Sequence, residues 1–215
     1  MPRRYSTLVT YRNLLLSGLV FLMGLVSTST FAQDQAAQNP EAAKEFINKL
    51  SNDAVAVWSD ASRTEAEREE AFRDLLYEGF DVDFIAKLVL GRHMRTASKE
   101  QLREYQKLFP AYIVNNFARR IGNYGDEKLE VEGTTPAGSR DLFVRSKIVR
   151  PGGEPISADW RMRSVNGKLQ IVDIKVEGIS LAVTQRDEFS SIIERKGFDG
   201  LLDTLRKGAL LSTEG

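Results

Sequence analysis

Between residues 40 and 117 the apolar side chains recur at intervals of three and four, the spacing of one helix face. Pro40 opens a segment with Ala43, Phe46, Ile47, Leu50, Ala54, Val57 and Trp58 on one stripe, and proline suits a first helical position. Thr64 starts a second helix, acidic at its N-terminal end, with Phe72, Leu75, Leu76 and Phe80 on its face. Asp81 begins a short third one carrying Phe84, Ile85, Leu88 and Val89, stopped at Gly91. Ser98 and Gln101 form a capping box for a long fourth, bearing Leu102, Tyr105, Phe109, Tyr112, Ile113 and Phe117. Pro110 lies within it and predicts a kink or break near Phe109.

After "GNYGDE", which follows a helix and reads as a stop and turn, the period changes to two. Strands are predicted at 127–135, 139–150, 154–165 and 168–177, separated by "PAG", "PGG" and "NG", so neighbours are antiparallel. A three-residue loop Pro151-Gly152-Gly153, left-handed at Gly153, sets Val144 opposite Trp160 and Leu142 opposite Met162. The other face then pairs Arg145 with Asp159 and Asp141 with Arg163, so one register satisfies both faces. A strict two-residue turn at Asn166-Gly167 would put charges on the apolar face. One extra residue just after that turn gives Met162–Val172, Trp160–Ile174 and Ala158–Val176, with Arg161 opposite Asp173, and a bulge is expected there. At Gly178 the apolar phase changes to Ile179, Leu181 and Val183, which reads as a bend carrying the apolar face onward. A closing helix is predicted from Thr184, capped with help from Asp187, and "FDGLLDTLRKG" adds a short last one.

Helices ahead of an antiparallel meander define an α+β domain. N-terminal helices pack on one face of a twisted four-stranded antiparallel sheet, and C-terminal helices close it. Curved sheets of this kind, cone-shaped in the NTF2/cystatin-like manner, often enclose a pocket beneath the helices. Periodicity alone does not separate a filled core from a cavity lined by the same residues.

Composition narrows the setting. Arg3, Arg4 and Arg12 precede the uncharged run "LLLSGLVFLMGLV", and "TFA" ends at Ala32 with small residues at −3 and −1. This pattern is a secretory signal peptide, residues 1–32, followed by a polar leader at 33–39, one domain at 40–208 and a tail at 209–215. The remaining chain carries 27 basic and 30 acidic side chains and shows no pole of charge that would attract nucleic acid. With no cysteine it has neither disulfides nor a lipoprotein anchor, and with one histidine it is poorly supplied for a transition-metal site.

Catalytic chemistry is hard to find. His93 lies in a polar connector and reads as a surface residue. Asp173 is turned outward toward Arg161 by the predicted register, which argues against an isomerase-like base in a cone fold. No phosphate loop, nucleophile elbow or metal motif is present. Residues 34–83 hold 13 acids against 5 bases, and 140–170 hold 7 bases against 3 acids, as expected of solvated faces.

Several stretches resemble a known family. "FDVDFIAKLVLGRHMRTASKEQLREYQKLF", "VRSKIV" and above all "IVDIKVEGISLAVTQRDEFSSII" are similar to the MlaC (toluene-tolerance) family of periplasmic phospholipid carriers, over roughly Asn48 to Lys207. The resemblance implies a monomeric periplasmic carrier without catalytic residues, cofactor or metal, its cargo a phospholipid moved between outer and inner membranes to maintain outer-membrane lipid asymmetry. Its implied partners are an inner-membrane ABC transporter with MCE domains and an outer-membrane lipoprotein–porin complex. Relatives that carry hopanoids keep another lipid class open. On this reading the tails lie between Val144, Trp160, Met162, Ile174 and Val176 of the sheet and Phe84, Leu88, Phe109, Tyr112 and Ile113 of the helices. Ile179, Leu181 and Val183 line the approach to the mouth, and Arg92 and Arg186 stand at the headgroup rim.

Overall fold

The computed structural model describes residues 39–121 and 127–210. Residues 1–38, which hold the expected signal peptide and all of the expected polar leader but Asn39, the 122–126 part of "GNYGDE", the side chain of Phe117 and the tail from 211 lie outside the described residues. Five helices and a five-stranded sheet follow in the order α1 (Pro40–Ser59), α2 (Glu65–Gly79), α3 (Val82–Leu90), α4 (Lys99–Ile121), β1 (Lys128–Ala137), β2 (Asp141–Val149), β3 (Ile156–Val165), β4 (Lys168–Val176), β5 (Ile179–Ser180) and α5 (Leu181–Leu210). A 3-10 helix, Gly91–Arg95, links α3 to α4.

The helix starts follow from local capping. Asn39 accepts from the amides of Glu41 and Ala42 ahead of Pro40. Thr64 and Glu67 form a reciprocal capping box on α2, and Asp81 accepts from the Phe84 amide at 2.9 Å on α3. The Ser98–Gln101 box holds the start of α4 in the same way, at 3.0 and 3.1 Å. Of the expected kink or break, the break does not occur: α4 runs on through Pro110. One lost backbone bond is tolerated because Phe109 and Val114, on either side of the proline, are both buried.

The sheet is an antiparallel meander in the order β1-β2-β3-β4-β5. The register between β2 and β3 is the expected one: Val144 faces Trp160, Leu142 faces Met162 and Asp141 faces Arg163. The left-handed glycine in the connecting loop is Gly152, with φ 72°, and not Gly153. Between β3 and β4 the turn is the strict two-residue one, Asn166 and Gly167 both at positive φ. The extra residue is Val172, in mid-strand. Met162 therefore faces Ile171 and not Val172, while Trp160–Ile174 and Ala158–Val176 pair as expected. Where a bend was predicted at Gly178 the chain reverses: Glu177 (φ 49°) and Gly178 (φ 78°) make a tight hairpin, and Ile179 and Ser180 pair back onto Val176 and Lys175 as a fifth strand.

That reversal starts α5 at Leu181, three residues before the predicted Thr184. The Ser180 hydroxyl accepts from the Val183 amide at 3.1 Å, in place of any role for Asp187. Gly197 (φ 72°) breaks α5 into the two closing helices. Above the apolar face, α1 sets Ala43 and Ile47 onto Leu142, Val144, Met162, Ile171 and Ile174. Another core lies between α3, α4 and α5, around Tyr105, Phe109, Phe189 and Leu201. The bridge Phe80–Ile171 ties the α2–α3 junction to β4.

Candidate functional site, a two-lobed apolar cavity

Ala43 and Ile47 in the N-terminal half of α1 pack on the sheet core, whereas Ala54, Val57 and Trp58 in its C-terminal half pack with Phe72 and Leu76 of α2. Next to them is a cavity of about 380 Å³, roofed by α1 and α2 and floored by the sheet. Leu50, Ala54, Val55, Trp58, Phe72 and Leu75 form the roof, and Leu129, Ile148, Ala158, Trp160 and Val176 the floor. A smaller cavity of about 140 Å³ lies between α2, α3, α4 and the first turn of α5, lined by Val82, Ile85, Val89, Tyr112 and Ile113. Leu76, Phe80, Ile174 and Leu181 line both, so these four side chains stand between two adjacent lobes.

Polar groups sit at the margins. Ser51, Ser59, Glu127 and Lys128 border the larger lobe; Asn116, Asp173, Thr184, Gln185 and Glu188 border the smaller. Asp173 is buried and does not face Arg161 as an ion-pair partner. The first turn of α5 folds back over it, so its two oxygens accept from the Ser180 hydroxyl at 2.6 Å and the Ala182 amide at 3.1 Å. Arg161 turns instead to Asp141, which is buried between Arg161 and Arg163 on the far face of the sheet. Burial pushes the Asp141 carboxyl up, but the hydrogen bonds from Arg163 and Arg161 outweigh it and hold the group below the ordinary carboxylate value.

Of the residues chosen from the sequence, Trp160, Ile174, Val176 and Leu181 line the larger lobe, and Tyr112, Ile113, Ile174 and Leu181 the smaller. Val144 and Met162 are wholly buried beneath α1 and belong to filled core. Phe109 is in the core of α3–α5, and Leu88 packs against that core. Phe84 lies on the opposite side of the sheet, its ring 4.4 Å from the Arg163 guanidinium. Ile179 and Val183 are 64% and 40% exposed, because the hairpin turns them to solvent.

Arg92 and Arg186 stand away from both linings. Arg92 pairs with Glu194 at 2.5 Å, and His93, buried and not on the surface, contacts the Ser190 hydroxyl at 3.2 Å. The Arg186 side chain lies over Gly91, whose positive φ and missing Cβ admit it. Together these residues clasp the 3-10 helix onto α5.

The roof residues Leu50, Ala54, Val55, Trp58, Phe72, Leu75 and Leu76 were not among the residues chosen. One signal for them was available. Val55 falls outside the stripe that packs α1, and it is 53% exposed at the cavity edge.

The MlaC protein family model matches residues 48–207. The chain belongs to the MlaC family. An MlaC-family relative from Haemophilus influenzae, the intermembrane phospholipid transport system binding protein MlaC, is 22% identical over 211 residues, covering 96% of this chain and 94% of its own. The toluene tolerance protein ttg2D of Pseudomonas putida is 21% identical over 131 residues, 60% of this chain and 61% of that one. Among solved structures, the phospholipid-binding protein of Ralstonia solanacearum, in complex with a phospholipid, superposes with a TM-score of 0.68 at 21% identity. It covers 80% of this chain and 99% of its own, so the MlaC-family chain shares that fold.

Proposed function

We propose that the protein is a phospholipid carrier that holds acyl tails in the two-lobed cavity between sheet and helices. The observation that supports this most is a pair of adjacent cavities in a MlaC-family chain, the larger lined mainly by apolar side chains. Each methylene shielded from water contributes about 0.8 kcal/mol, so two long tails need such a shield to cross an aqueous space. The relatives named for phospholipid binding and transport point to the same cargo. In full, the carrier works in the periplasm after cleavage near Ala32, as a monomer. It moves phospholipid between an outer-membrane lipoprotein–porin complex and an inner-membrane ABC transporter with MCE domains, and so maintains outer-membrane lipid asymmetry. Asp173, the acid an isomerase-like enzyme would need, already spends both oxygens on capping α5, which favours a carrier over catalysis.

Native mass spectrometry of protein purified from the periplasm, followed by solvent extraction, tests the reading. About one glycerophospholipid per chain is expected; a lipid-free chain, or one loaded with hopanoid, overturns the cargo assignment. Leu181 borders both lobes, so Leu181→Arg should strip most of that lipid with little change in melting temperature. Full lipid content in this variant would remove the cavity from the proposal.

A further inference from the structure

Gly208 lies in the second helical stretch of α5, where the backbone gives no reason for a glycine. Gly197 breaks the helix at φ 72°, whereas Gly208 keeps a helical backbone that any residue adopts. Glycine in regular helix weakens it relative to alanine. What excludes a side chain is Tyr112 of α4. A Cβ at position 208 would stand 2.5 Å from its ring Cδ2 and 2.8 Å from Cε2, closer than real Cβ atoms come. The Tyr112 ring thus occupies the place of the missing side chain. That ring also packs on Phe189, centroids 5.7 Å apart, and it lines the smaller lobe together with Val82, Ile85, Val89 and Ile113.

We propose that Gly208 is a positioning residue for the cargo: by accepting the Tyr112 ring it keeps the smaller lobe open for one tail of a two-tailed lipid. This rests on the carrier reading above and adds to it what separates two-tailed from one-tailed cargo. The tails of a diacyl lipid leave one glycerol, so they start side by side and can then part. Two adjacent lobes of about 380 and 140 Å³, with Leu76, Phe80, Ile174 and Leu181 between them, suit one tail each. A side chain at 208 has to displace the ring, because α4 and α5 are held together by the packed core around Tyr105, Phe109, Phe189 and Leu201. The ring then yields into the lobe it lines. Tyr112 does not line the larger lobe, which keeps its volume and still admits a single tail.

The test exchanges the full mature chain with an equimolar mixture of dipalmitoyl phosphatidylethanolamine and palmitoyl lysophosphatidylethanolamine in detergent. The ratio of the two bound lipids is read by native mass spectrometry. Each methylene shielded from water multiplies affinity by about four, so Gly208→Ala should lower the diacyl-to-lyso ratio about tenfold or more against wild type. Adding Tyr112→Ala to Gly208→Ala removes the ring and should restore the ratio, which a merely structural role for Gly208 would not give. If Gly208→Ala loses its cooperative melt, Val82→Phe fills the same lobe from α3 and carries the same comparison. A wild-type ratio in Gly208→Ala, or in Val82→Phe where that variant replaces it, overturns the assignment and leaves the carrier intact. So does a lowered ratio that Tyr112→Ala fails to restore. Uptake of neither lipid by the wild type overturns both.

Discussion

The block formed by α3, α4 and α5 closes on Tyr105, Phe109 and Phe189, whose rings meet at 5.4 to 6.4 Å, two of the three pairs edge to face. The roof of α1 and α2 holds Phe72, Leu75, Leu76 and Trp58, apolar side chains of similar size, yet leaves about 380 Å³ between itself and the sheet. What differs is the support beneath. In the first block three helices converge and aromatic side chains interlock, with the Tyr105 hydroxyl donating to the Ala86 carbonyl at 2.9 Å. In the second, α1 is seated on the sheet by small Ala43 and by Ile47, and beyond that point Trp58 and Trp160 face a common space from opposite walls. The larger hollow lies where two helices alone face the sheet, and the aromatic centre of the three-helix block is closed.

The largest expected effect sharpens that contrast. Phe109→Ala, in the filled block, should cost about 3–5 kcal/mol in urea unfolding, because the void it leaves is walled by packed side chains. A loss of under about 1 kcal/mol would show that this block is not close-packed and the comparison fails. Adding volume separates the regions next. Ala86→Phe should destabilise by about 1–3 kcal/mol. Ala54→Phe, beside the hollow, should cost close to nothing and displace bound lipid instead. Equal destabilisation by both substitutions would mean that the roof has no room.

A smaller effect concerns the cavity floor. Asp141 joins Arg161 and Arg163 across β2 and β3 on the far side of the sheet. Both arginines are partly exposed and screened, so Asp141→Asn should cost about 1 kcal/mol at neutral pH. Because the folded-state carboxyl is held below its ordinary 3.8, its contribution is present above that value and lost as pH falls through the lowered one. Stability curves of variant and wild type should therefore converge only below pH 3.8; parallel curves down to that range and beyond would dissociate the stabilisation from this carboxylate. The smallest effect is at Gly79, where an added Cβ would meet the Leu50 side chain at 3.1 Å. Leu50 borders the larger lobe and has space to yield, so Gly79→Ala should stay within about 0.5 kcal/mol of wild type in thermal melts.

Much of the layered fold could be read from the residues. The register of β2 on β3 follows from two independent faces, since only one offset pairs Asp141 with Arg163 and Val144 with Trp160 together. The bulge in β4 was legible as an event but not as a position: moving it from the turn to Val172 exchanges only the apolar partner of Met162, and both candidates suit it. Asp173 was misjudged because strand alternation gives the face a side chain leaves from, and not what later folds over it. The reversal after Val176 was read as a bend for a related reason, since a hairpin and a bend share the same Glu177-Gly178 sequence.

From its sequence alone the chain determined its helix caps, its period change from three-and-four to two, its antiparallel meander and the apolar stripes that had to be shielded from water. Those properties depend on neighbours a few residues away or on pairing with the next strand. Tertiary structure decided which stripes close on each other and which enclose a space. Along α1, Ala43 and Ile47 close on the sheet residues, whereas Ala54, Val55 and Trp58 line the larger cavity. Hydrophobic burial is non-directional, so the same apolar residues serve a packed core or a cavity wall until the surrounding elements fix their separation.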